Sequence, residues 1–178
     1  METEIKGKEY TLSAAKANAQ ALYFILPILA VSLIPYFLIH GAPGMSIGTI
    51  SLLPAFLIGI VVHELIHGLC WGLFAKSGFK SIRFGVIWSA LTPYCHCKEA
   101  LTIRQYRIGG LMPTVVLGFI PVIYAWITGN NFALIFGTLL TIGGSGDFII
   151  LWMMRKLPAD LKVKDHPSKC GFYLPEEE

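Results

Sequence analysis

His63-Glu64-Leu65-Ile66-His67 is an H-E-x-x-H run set inside a long apolar segment. On a helix, positions i and i+4 lie one above the other, so both imidazoles can grip one metal ion from the same side. Glu64 then stands beside the metal, placed to take a proton from a bound water. Catalytic zinc keeps three protein ligands and leaves a fourth position to water. Two histidines therefore need a third partner. The apolar segments hold one other carboxylate, Asp147. Ionisable groups at membrane depth are costly and mark functional sites. The implied chemistry is hydrolysis by zinc-activated water, with His63, His67 and Asp147 as ligands and Glu64 as general base.

The elements that must position these groups are apolar helices. The chain has 178 residues, room for one domain spanning 1–178. It is 54% hydrophobic and 14% charged, with a mean hydropathy of +0.63. Soluble domains carry about 25% charged residues, so this composition points to an integral membrane protein. Four segments, Gln20–His40, Thr49–Ala75, Gly109–Thr128 and Phe132–Met154, each reach the ~20 residues that span a bilayer core as a helix. The predicted fold is all-α: four transmembrane helices, a loop over 76–108 and a tail over 155–178. The first segment is too long for a signal-peptide core and reads as a retained helix.

All 14 Lys and Arg fall before the first segment, between the second and third, or after the fourth. The positive-inside rule then places both termini and the middle loop in the cytoplasm of a multi-pass cell-membrane protein. The formal charge of +3 gives no sign of nucleic acid as a partner. The bilayer itself is one partner.

Helical rise puts His63 and Asp147 at similar depths, roughly 21 and 22 Å from the outer ends of their segments. Gly143-Gly144-Ser145-Gly146 precedes Asp147, while Gly68 and Gly72 follow the second histidine as a G-x-x-x-G. Small residues let backbones approach, so a tight contact of the second and fourth segments at the metal is expected. Gly144-Ser145-Gly146-Asp147 also fits the G-x-G-D of aspartyl intramembrane proteases. That mechanism needs a second membrane aspartate, and no segment has one.

Other reactive types read as structural. Cys70 is taken as a small buried thiol. Tyr94-Cys95-His96-Cys97, with His166 and Cys170, lacks the two-residue spacer of zinc ribbons and is taken as loop. His96 is a weaker candidate for an oxyanion donor near the site mouth. Ser81–Trp88 and Leu91–Lys98, separated by Ser89-Ala90, fit a short hairpin, and an amphipathic interfacial loop fits as well. A hairpin edge would hold an extended peptide by strand addition. Thr102–Ile108 is a helical lead-in to the third segment.

The chain resembles the site-2 protease family of intramembrane zinc metalloproteases. It is more similar to a family of small prokaryotic membrane proteins described as candidate zincin peptidases. The resemblance runs through His63-Glu64-Leu65-Ile66-His67-Gly68, Thr92-Pro93-Tyr94, Gly144-Ser145-Gly146-Asp147, Asp165-His166-Pro167 and Gly171-Phe172. It implies zinc on His63, His67 and Asp147, Glu64 as catalytic base, and membrane-protein or membrane-peptide substrates. Where site-2 proteases carry L-D-G, Phe148 follows Asp147 here, and none of the four segments holds an asparagine. Two rival classes remain. A zinc-stabilised scaffold has no need of Glu64, and a transporter needs a polar path that the first and third segments do not offer.

Overall fold

The computed structural model describes residues 7–42, 51–88, 92–166 and 169–176. Thr49 at the expected start of the second segment, the Ser89-Ala90 turn, Pro167 of the tail run and Glu177-Glu178 lie outside them.

Three helices are long and apolar enough to cross a membrane: Ala19–His40 within α1 (Ala14–His40), α2 (Leu52–Phe74), and the run Ile103–Thr128. The third comprises α3 (Ile103–Pro113), a wider π-helical stretch Thr114–Phe119, and α4 (Ile120–Thr128). A fourth span exists if α5 (Asn131–Gly143) and α6 (Ser145–Met154), bent by 47° between them, count as one. The sequence sets most of the boundaries. Thr102 and Gln105 form a capping box that starts α3, so the expected helical lead-in Thr102–Ile108 runs straight into the third segment. Gly129, at φ 72°, ends α4, and the Asn130 side chain accepts from the Ala133 N–H to start α5. Leu22, Tyr23, Leu26 and Leu38 on α1 are exposed, as suits a helix facing hydrocarbon.

An all-α chain is not what forms where the charges lie. The expected hairpin is present as β2 (Ile82–Ile87) and β3 (Thr92–Cys97). A second, four-stranded antiparallel sheet was not expected. Its order is β1 (Gly7–Leu12), β6 (Cys170–Pro175), β5 (Lys162–Asp165), β4 (Leu101–Thr102). With two residues in β4 and four in β5, these strands are too short to show an alternating pattern. Leu101, Ile103, Tyr106, Met154, Val163 and Phe172 bury one another between this sheet and the ends of α3 and α6. Arg107 on α3 donates to the carbonyl of Met154 and, at 3.3 Å, to that of Leu157, satisfying the end of α6.

The G-x-x-x-G packs elsewhere than expected. A Cβ on Gly68 would meet Phe84 and Ile82 of β2, and one on Gly72 would meet Phe79. Gly68 seats the hairpin on α2, and Gly72 seats the turn Gly78–Ser81 that leads into it. It is Gly59, one to two turns before the histidines, that lets α5 approach through Leu140 and Phe136.

Glu99, between β3 and β4, clasps the chain beyond α2 by accepting from the N–H groups of Lys76 (2.8 Å) and Ser77 (3.2 Å). The Ser77 hydroxyl and then these amides hold its carboxyl at about 2 against an ordinary 4.5. A depressed carboxylate stabilises fully above its unfolded value and loses that contribution as pH falls. Wild type should therefore unfold at higher temperature than Glu99→Gln in detergent at about pH 6, with the gap closing as pH falls toward about 2. A pH-independent gap would refute the clasp.

Candidate metal centre

α2 presents His63 and His67 on one face, and the α5–α6 bend brings Asp147 against them. His63 Nε2 lies 3.0 Å from Asp147 Oδ2, His67 Nε2 3.4 Å from Asp147 Oδ1, and the two Nε2 atoms are 3.2 Å apart. Bonds of about 2.0–2.1 Å to a tetrahedral zinc set ligand atoms about 3.3 Å from one another. The triangle has that size. Two imidazole nitrogens and a carboxylate aimed at one point also need positive charge between them, so the donor set fits a divalent cation. Among the described residues, no other group of three His, Cys, Asp or Glu side chains converges this way.

Members of this triangle are held by their surroundings. His67 Nδ1 lies 2.9 Å from the carbonyl of Gly109. A carbonyl only accepts, so Nδ1 carries the hydrogen and the Nε2 lone pair faces the site. That carbonyl is open because the residue four positions on is Pro113, which has no N–H to give it. The His67 ring stacks on Trp71 (centroids 4.9 Å, 15°), and Trp71 stacks on Tyr106 (4.9 Å, 27°). Trp71 Nε1 donates to the Tyr106 carbonyl at 3.2 Å. The Tyr106 hydroxyl donates to Asp165, which also accepts from the Cys97 N–H at 2.8 Å. Burial raises the Asp165 carboxyl, and these two donors oppose that rise.

Asp147 occupies the first turn of α6, just after Gly144, where free N–H groups favour a negative charge. Glu64 stays outside the converging triangle. It turns toward the hairpin, where the backbone N–H of Cys95 donates to its carboxylate. That placement suits a base better than a ligand.

The other sequence candidates go elsewhere. Cys97 is buried in the core, with its thiol pushed up to about 11 by burial, and burial pushes the Cys95 thiol higher still. Both stay protonated and unreactive at neutral pH. Cys170 is exposed on β6, and His166 Nε2 lies 3.3 Å from Glu9. His96 Nδ1 lies 3.7 Å from Asp165, engaged with the tail. Cys70 is half-buried on α2 and belongs to no converging group. Sequence reasoning missed Trp71, Tyr106, Gly109, Pro113 and Asp165. One signal was available: a glycine four residues before a proline in a helix marks an unpaired carbonyl.

A family model described as "Putative zincin peptidase" matches residues 56–162, which contain every residue of the triangle. The chain belongs to this zincin-peptidase family. It is also 27% identical over 131 residues to an "Uncharacterized 24.7 kDa protein in gap 5'region" of Pyrococcus woesei. The match covers 70% of this chain and 55% of that relative, so the chain spans about half the length of the curated relative it matches. No solved structure matches the chain.

A Cβ on Gly109 would meet the Trp71 indole, whereas one on Gly110 would make an ordinary contact 3.5 Å from Leu151. Gly109→Ala in this zincin-peptidase chain should cost about 1–3 kcal/mol by overpacking. It should also shift tryptophan fluorescence and weaken zinc binding, with Gly110→Ala near wild type. Equal behaviour of the two variants would sink the stacked-ring support.

Proposed function

We propose that this member of the zincin-peptidase family is a membrane-embedded zinc metallopeptidase, similar to the site-2 proteases. It would hydrolyse peptide bonds in or near the membrane-spanning segments of other proteins. The observation that carries the reading is the His63–His67–Asp147 triangle with Glu64 beside it, on helices apolar enough to cross a membrane. Bound zinc supplies Lewis acidity toward a carbonyl and acidifies water.

The remaining work falls to the chain's own residues. Glu64 takes a proton as the water oxygen adds to the scissile carbonyl carbon. It then delivers that proton to the amide nitrogen as the C–N bond breaks, leaving an amine and a carboxylic acid. The Cys95 N–H steadies the Glu64 carboxylate between these transfers. An extended substrate is required, because helical amides are closed in their own hydrogen bonds. β2 has no partner on its outer edge among the described residues, and Phe84, Val86 and Trp88 there are exposed. That edge suits strand addition by a substrate. The charge distribution supports four spans in one domain of the cell membrane, with both termini in the cytoplasm. The site then opens toward the cytoplasmic half of the bilayer.

Comparative membrane proteomics tests the reaction. Glu64→Gln should keep zinc yet accumulate an uncleaved membrane protein, while His63→Ala and Asp147→Ala lose zinc and activity together. Full zinc occupancy in Glu64→Gln with no substrate change would favour a scaffold instead.

A further inference from the structure

Thr114 is 1% exposed, and its hydroxyl has no hydrogen-bond partner. Unpaired polar groups in apolar surroundings are costly, and helical threonines usually avoid the cost by bonding a carbonyl one turn back. Thr141 does so on Gly137 at 2.7 Å, and Thr128 does so on Tyr124 at 2.8 Å. Thr114 does not. It is the first residue of the π-helical stretch, directly after Pro113. Such stretches recur at functional sites because they reset the direction of the side chains they carry.

Across from that hydroxyl lies Gly144. A Cβ built there would sit 2.7 Å from Thr114 Oγ1, 3.3 Å from His63 Cε1 and 3.5 Å from Asp147 Oδ2. The missing side chain thus lets the orphaned hydroxyl come in over Gly144, beside two members of the metal triangle and with no room for a methyl between them. Asp147 otherwise contacts only the two histidines through its side-chain oxygens, among the bonds described. Carboxylates that ligate metals are themselves hydrogen-bonded, and loss of that partner weakens metal binding.

We propose that Thr114 is the positioning residue for Asp147: its hydroxyl donates over Gly144, directly or through one water, and fixes the carboxylate as a ligand. This rests on the metal reading above. It also explains the residue types. Serine would keep the donor, valine would keep the shape without it, and alanine at 144 would block the path.

Zinc affinity of the purified full chain in detergent, by competition with a chromogenic chelator, tests it. Thr114→Val should bind zinc about 10–100-fold more weakly, while its metal-free melting temperature stays equal to wild type or rises. Thr114→Ser should keep wild-type affinity. Gly144→Ala should lose affinity, and adding Thr114→Val to it should cost little more, since both remove one interaction. Wild-type affinity in Thr114→Val overturns the proposal, as does an equal loss in Thr114→Ser. Retention of zinc by both His63→Ala and Asp147→Ala would instead overturn the ligand set, and this proposal with it.

Discussion

The missing N–H of Pro113 governs the site. In an unbroken helix the carbonyl of Gly109 would be consumed by residue 113, but proline has no hydrogen to offer. His67 takes the vacancy with its Nδ1–H, and one proton on one ring nitrogen decides which nitrogen faces Asp147. The same proline opens the π-helical stretch, so the helix wall beside the histidines is built from this single loss of a donor. Gly109 has to be a glycine because the Trp71 ring that backs His67 occupies the place of its side chain.

From His67 the support runs outward as a column of rings. Trp71 and Tyr106 stack in sequence, and Tyr106 ends on Asp165 in the tail sheet. Asp165 in turn holds β3 through Cys97 N–H, and β3 carries the amide that meets Glu64. The candidate base and a candidate ligand are therefore braced by one carboxylate from a distant part of the chain. Stacked rings in a filled core have few alternative rotamers, so they transmit position better than flexible side chains would.

How much of this was legible depends on the length scale of the signal. His63 and His67 declare themselves through helical spacing, and Asp147 through being the other carboxylate in an apolar background. The helices follow from runs of apolar residues, and the hairpin from its β-branched and aromatic stretches. The four-stranded sheet was not legible. It joins strands as distant as Gly7–Leu12 and Cys170–Pro175, and its pairing is set by tertiary packing rather than local pattern. The partners of Gly68 and Gly72 were misjudged for a related reason. A small-residue stripe says that something comes close, and only the fold says that it is a hairpin and not a helix. The bend at Gly144 lay inside an apolar run that composition alone reads as one straight helix.

The pairing of β1 with β6 has a consequence in time. α2, which carries both histidines, is synthesised and can be inserted long before Asp147, and the strand Gly7–Leu12 has no neighbour until Cys170–Pro175 emerges. Contacts of such high sequence separation form late, because a long loop must close first. The column from His67 to Asp165 therefore stays unbraced until β6 has been made. The metal triangle on α2 and α6 thus gains its full support only after Cys170–Pro175 has paired with Gly7–Leu12.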